Sequence, residues 1–140
     1  MDASYHRNPI YITRVDYDRL TQLVQLERQV HGNGRVAGLS YELKRAQLVD
    51  SHDILPDVVT MNSRVKLRDM SSNKELEITL AYPKFADINN RKISILAPVA
   101  TAVLGCRVGD VVEWPVPNGN ATYLVEKVLH QPEAAGDWVS

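Results

Sequence analysis

Between Ser94 and Gly119 the chain reads SILAPVATAVLGCRVGDVVEWPVPNG, and this stretch limits the fold more tightly than any other. Ile93, Ile95 and Ala97 alternate with Ser94 and Leu96, the period of a half-buried strand. Pro98 ends that strand and suits the first turn of a helix, where its missing N–H would have no partner anyway. Val99, Ala102, Val103 and Leu104 give the helix an apolar stripe, and Gly105 stops it where a left-handed residue is wanted. Val108-Gly109-Asp110 turns the chain into a second strand, Val111-Val112-Glu113-Trp114. Pro115 and Pro117 confine that strand to a sheet edge or an early end. The pattern holds no nucleophile, metal site or phosphate cradle. It predicts a docking surface on a packed domain.

At 140 residues the chain is long enough for one good core, or for a small domain with an appendage. Its formal net charge of −1 excludes a strongly basic protein held to nucleic acid by charge alone. Splitting the chain does not change this. Residues 1–52 carry seven Lys+Arg against six Asp+Glu, and residues 53–140 carry nine against eleven. The single cysteine, Cys106, excludes an internal disulfide and a cysteine zinc cluster, and reads as a small packed hydrophobe. No apolar run approaches the ~20 residues of a membrane span. MDASYHRNP lacks a signal-peptide core, so a cytoplasmic location and no membrane partner are expected.

Ile10-Tyr11-Ile12-Thr13 is a short β-prone run. A helix capped by Thr13 or Asp16 should follow it, with Leu20, Leu23, Val24 and Val30 on one side. The tip His31-Gly32-Asn33-Gly34-Arg35 is rich in turn formers and should reverse the chain. Val36, Leu39, Leu43 and Ala46 then mark a second helix. Two amphipathic segments joined by a Gly-Asn loop predict a short antiparallel helical hairpin, or coiled coil, that must lean on the rest of the chain. Residues 50–57 read as a linker. The expected division is a hairpin over 1–52 and a strand-rich domain over 53–140, an α+β fold.

In the strand-rich part, Val65 and Leu67 alternate with Arg64, Lys66 and Arg68, while Leu76, Ile78 and Leu80 alternate with Glu75, Glu77 and Thr79. Facing Arg68 with Glu75, Lys66 with Glu77 and Arg64 with Thr79 puts both apolar sets on one side, because the side-chain period is two. Ala121 to His130 supplies a last strand, and Asn118-Gly119 a hairpin turn.

Polar candidates are few. The row Arg64, Lys66 and Arg68 could track a phosphate backbone, which would give weak, salt-sensitive DNA contacts. The alternative is a solvated hairpin face neutralised by Glu75 and Glu77. Lys84, Arg91 and Lys92 form a weaker basic patch. His6, His31, His52 and His130 share no ligand spacing, and no Gly-x-Ser-x-Gly element exists. No catalytic residue, metal site or cofactor is expected.

Ala97-Pro98-Val99-Ala100-Thr101-Ala102-Val103-Leu104-Gly105, followed by Val108-Gly109-Asp110-Val111-Val112, resembles the C-terminal signature of the bacterial Gre transcription elongation factors. Asp57-Val58-Val59-Thr60-Met61-Asn62-Ser63-Arg64-Val65 and Gln131-Pro132-Glu133-Ala134-Ala135-Gly136-Asp137 resemble one narrower branch of that family. The likeness covers the strand-rich part, and the N-terminal third through its helical-hairpin pattern.

The resemblance implies an FKBP-like C-terminal domain, a twisted antiparallel sheet around one short helix. It also implies RNA polymerase as partner, docked at the rim of the secondary channel through the loop into that helix. Carried over, the loop is Leu96, Ala97, Pro98 and Val99. Gre sequences usually have a serine where Ala97 stands and often an acid where Leu96 stands, so docking here would be more apolar.

Gre hairpins are longer and present acidic residues that help hold a catalytic magnesium ion, which prefers oxygen ligands. The tip Val30–Gly38 has no Asp or Glu, and Glu27 and Glu42 are the nearest acids. Arms of about fifteen residues would reach only ~22 Å. The expectation is therefore a monomeric, non-catalytic regulator that competes with Gre factors. A stand-alone weak nucleic-acid binder is one alternative. The other is a peptidyl-prolyl isomerase, whose aromatic pocket would have to come from Phe85, Tyr82, Trp114, Tyr123 and Trp138.

Overall fold

The computed structural model describes residues 8–137, so His6 and Trp138 lie outside the described residues. The fold is α+β, with a helical hairpin followed by a five-stranded sheet and one short helix. Strand β1 (Tyr11–Thr13) leads into α1 (Arg14–His31) and α2 (Ala37–Arg45), and the chain returns as β2 (Gln47–Val49). β2 pairs parallel with β1, with Ile12 opposite Leu48. The hairpin is thus the crossover of a parallel pair, clamped at both ends.

Thr13 is the N-cap of α1: its hydroxyl accepts the Asp16 N–H at 3.0 Å. At the other end Gly32 adopts φ 79° and donates its N–H to the Arg28 carbonyl at 2.9 Å. The two arms are unequal, not fifteen residues each. α1 has 18 residues and α2 nine, about 27 Å against about 13 Å at 1.5 Å per residue. Leu20 and Val24 are buried, but Val30 is 65% exposed, against expectation, because ten residues carry it about 280° round the helix from Leu20, off the buried side.

The sheet runs β5-β4-β3-β7-β6. β3 (Arg64–Asp69) and β4 (Glu75–Ala81) take the expected register, Arg68 opposite Glu75 and Lys66 opposite Glu77. The ion pairs include diagonals as well. Arg64 reaches Glu77 at 3.3 Å and Lys66 reaches Glu75 at 3.7 Å. Arg68 contacts Glu75 at 2.7 Å and takes Glu126 of the neighbouring strand with two nitrogens at 3.0 Å. Each cation of this row has an acid beside it.

β7 (Gly119–His130), the expected last strand, turns Ala121, Tyr123 and Val125 to the core. It then slips, pairing Leu67 with Val125 but Val65 with Val128. The bulge returns Val128 to the core side. β6 (Val111–Val116) is the edge strand its two prolines require. Its turn to β7 centres on Pro117-Asn118, one residue earlier than expected, since Val116 pairs with Gly119 at φ 135°. β5 (Lys92–Ser94) is shorter than expected and runs parallel to β4, so the sheet is not wholly antiparallel.

Residues 50–57 are no loose linker. A 3₁₀ turn, Ser51–Asp53, and buried Ile54 pack there, and the Gln131 side-chain amide donates to the Leu55 and Val58 carbonyls at 2.8 Å each. One apolar core joins Ile10, Leu20, Val24, Leu39 and Leu43 of the N-terminal segment to Val65, Leu67, Leu80, Val103 and Val125. Among the described residues no helix is long and apolar enough to cross a membrane.

Candidate docking site

The short helix α3 (Pro98–Val103) begins at Pro98, as its fixed φ favours, and ends in Leu104 and Gly105. Gly105 has φ 78°, and a Cβ there would stand 2.9 Å from Ile10 Cβ and 3.1 Å from the Tyr11 backbone. That close approach is used: Tyr11 donates to the Gly105 carbonyl at 3.0 Å, and Gly105 donates to Val59 at 2.8 Å. The glycine therefore locks α3 to β1 and to the Asp57–Val65 segment. Arg107 grips Asp57 through Nε and Nη2 at 3.0–3.2 Å on the same seam. Cys106 behind it is buried, its Sγ 3.5 Å from the Ala102 carbonyl, and burial pushes its thiol pKa well up. It is a packed hydrophobe, not a reactive thiol.

The loop into α3 is held from below. The Ser94 hydroxyl accepts the Leu96 N–H at 3.1 Å, and the Ser94 carbonyl accepts the Ala97 N–H at 2.9 Å. These bonds end β5 at Ser94 instead of continuing it through Ala97. Buried Thr101 donates its hydroxyl to the Ile95 carbonyl at 2.6 Å. Of the four loop residues only Pro98 is exposed; Leu96, Ala97 and Val99 are half-buried, and Leu96 and Val99 rest on the core. Sequence reasoning missed Ser94 and Thr101 as the positioning groups, although a serine two residues before an N–H that needs a partner is a usable signal.

The tip sits apart from this loop, at the free end of the hairpin. His31, Gly32, Asn33, Gly34 and Arg35 are all exposed. Arg28 donates to the Asn33 side chain at 2.6 Å, fixing the turn. Glu27, the nearest acid, lies 3.1 Å from His31 Nδ1 and 3.9 Å from an Arg35 nitrogen. Among the described residues no cluster of three or more His, Cys, Asp or Glu could hold a metal ion.

A buried polar knot at the root of α1 had no place in the sequence reading. Asp16 Oδ2 accepts the Met61 N–H at 3.1 Å, and Glu133 accepts the Thr60 hydroxyl at 2.7 Å. Burial raises the Asp16 pKa to about 7, with Glu133 adding to it and Arg19 opposing. The spacing Thr13-x-x-Asp16 is that of a capping box, but here the acid bonds Met61 across the core.

Residues 54–130 match the family described as "Transcription elongation factor, GreA/GreB, C-term", and residues 8–49 match the "Rnk N-terminus". The chain belongs to the GreA/GreB transcription elongation factor family. It is 42% identical over 135 residues to the Regulator of nucleoside diphosphate kinase of Escherichia coli strain K12, covering 95% of this chain and 98% of that protein. The Transcription elongation factor GreA of Acetivibrio thermocellus is 40% identical over 100 residues, 71% of this chain and 63% of that protein. Among solved structures, the prokaryotic transcription elongation factor GreA/GreB from Nitrosomonas europaea superposes with a TM-score of 0.72 at 43% identity. That match covers 86% of this chain and 99% of that one. The locked loop and helix described above, Ala97–Gly105, fall within the matched residues 54–130.

Proposed function

We propose that this chain is a non-catalytic regulator of transcription that binds RNA polymerase near the secondary channel and competes there with Gre-type elongation factors. The observation that carries the reading is the Leu96–Val99 loop, rigidly held by Ser94 and Thr101 in a chain of this family. In this reading residues 53–140 form the docking domain, and residues 1–52 form a short hairpin that caps the channel mouth.

The tip supports occupancy over chemistry. It carries His31 and Arg35 and no carboxylate, and Glu27 is engaged by those two side chains. Even the longer arm, 18 residues, gives only about 27 Å of reach. The charge row on β3 does not favour a stand-alone nucleic-acid binder, because Arg64, Lys66 and Arg68 are each ion-paired. Nor do the aromatics form a proline pocket: Trp114 stacks on Tyr123 at 5.3 Å, while Tyr82 and Phe85 line a different groove.

The test is binding of fluorescently labelled protein to core RNA polymerase, with an unlabelled GreA as competitor. Saturable binding that GreA displaces is the expected result. Pro98→Asp should weaken it at least about tenfold, since a charge would be desolvated at an apolar contact. The same variant should keep its Tm, because Pro98 is exposed and an acid suits a helix N-terminus. Leu96→Asp would confound the test by disturbing the core. No saturable binding, or unchanged affinity for Pro98→Asp, refutes this docking mode.

A further inference from the structure

Between α1 and the end of β4 lies an open groove of about 1000 Å³. One wall is an α1 stripe, Leu23 and Leu26, spaced i and i+3; the other is Tyr82, Pro83 and Phe85. Leu26 is 62% exposed and Phe85 59%, so large apolar side chains meet solvent from both walls. Val30 extends the α1 stripe by another turn beyond Leu26, also exposed. Leu26 and Val30 lie off the Leu20–Val24 side that α1 buries in the core.

The charged side chains that line this groove are all basic, with Asp16 and Glu133 acting on Tyr82 from beyond the lining. Arg19, Lys84 and Lys92 line it, and no Asp or Glu does among the described residues, in a chain whose net charge is −1. The Lys84 ammonium sits 5.2 Å above the centre of the Phe85 ring, so cation and apolar anchor share one spot. We propose that this groove is a docking site for an acidic amphipathic helix of a partner protein, its apolar residues seated between Leu26 and Phe85 and its carboxylates facing Lys84 and Lys92.

A helix fits because α1 offers a ridge of i, i+3, i+7 side chains, the complement of another helix's stripe. Nucleic acid fits less well, because a phosphate track wants a continuous run of cations, and Leu23, Leu26, Pro83 and Phe85 interrupt any such run here. A two-fold dimer through the groove would set Lys84 and Lys92 against their own copies, like charge against like. The proposal concerns a surface distinct from the Leu96–Val99 loop and needs no polymerase.

The experiment uses full-length protein and a fluorescein-labelled synthetic helix of about 18 residues, ~27 Å long. Its Leu and Phe are at i, i+3, i+4 and i+7, and Glu and Asp fill the rest. Anisotropy should give saturable binding that weakens with added salt. Lys84→Glu combined with Lys92→Glu, and separately Phe85→Ser, should each lower affinity about tenfold or more. All three positions are exposed, and circular dichroism checks that the variants stay folded. A peptide with lysines for the acids should bind at least about tenfold more weakly, as should one of scrambled apolar spacing.

Equal binding of the lysine peptide, or unchanged affinity in both variants, overturns the proposal. So does an oligonucleotide that binds more tightly than the acidic peptide and loses affinity in the double variant. Concentration-dependent dimerisation in sedimentation that Phe85→Ser abolishes overturns it in favour of self-association. None of these results bears on the polymerase reading, whose assay uses a different surface and partner.

Discussion

The carboxyl of Asp16 sets up a dependence of stability on pH that most surface acids would reverse. It is 3% exposed, bonded to the Met61 N–H, and its pKa rises from the ordinary 3.8 to about 7, chiefly through burial. The folded state therefore holds this proton more tightly than the unfolded state between about pH 4 and pH 7. Stability from this group is fully present below pH 4 and is lost as pH climbs through 7. Each pH unit inside the window costs about 1.4 kcal/mol, so from pH 5 to pH 8 the loss is about 3 kcal/mol.

Asp16→Asn isolates the effect. The amide oxygen can still accept the Met61 N–H, and the side chain stays neutral at every pH, a mimic of the protonated acid. Thermal unfolding followed by circular dichroism at pH 5, 6, 7 and 8 compares the two proteins. For a chain of this size 1 kcal/mol is worth about 3 °C, so wild type should lose roughly 9 °C relative to the variant over that range. The two should converge only near pH 4 and below, and from pH 5 to pH 8 the asparagine variant should be increasingly the more stable. Parallel Tm profiles would refute the reasoning, because then Asp16 does not titrate in the folded state where its burial places it.

Three further outcomes follow from the seam around α3. Thr101→Val leaves the Ile95 carbonyl without its 2.6 Å donor, and should cost about 1–3 kcal/mol in urea unfolding; it should also weaken polymerase binding if the loop docks. Gly105→Ala forces a left-handed alanine whose Cβ meets Ile10 at 2.9 Å. It should destabilise by more than about 2 kcal/mol, read from the urea midpoint. Cys106, fully buried and held protonated, should react with a thiol reagent only at the rate of unfolding, so labelling should accelerate steeply in urea.

How far the fold could be read in advance depended on how many residues repeated a signal. The β3–β4 register was legible because five consecutive pairs all demand the same parity: one slip would turn either Val65 and Leu67 or Leu76 and Ile78 to water. β2 was not legible. Gln47-Leu48-Val49 has three residues and no period of its own, and its partner β1 lies across the whole hairpin. The β7 bulge hid for a related reason. Both parities of that strand are rich in apolar residues, and only the pairing to β3 decides where Tyr123 and Val125 hand over to Val128. Val30 was grouped with Leu20 and Val24, yet it stands about 280° of helix rotation from Leu20, a drift that three spaced apolar residues do not reveal until the core is in place.

The candidate docking loop divides the same way. Pro98 and Gly105 announced the two ends of α3, since each residue type suits few other backbone positions. The supports were hidden. Ser94 and Thr101 read as an ordinary strand serine and an ordinary helix threonine until the fold brings them to the Leu96 N–H and the Ile95 carbonyl. Their role bears on function more than the loop's own residues do. A short loop with no charge of its own gains little on contact, and ordering it at that moment would cancel much of the gain. Held in advance by a hydroxyl on each side, half-buried Ser94 and buried Thr101, Leu96 and Pro98 could meet an apolar partner without that loss. Thr101→Val is therefore expected to lower polymerase affinity although Thr101 is buried and touches no partner.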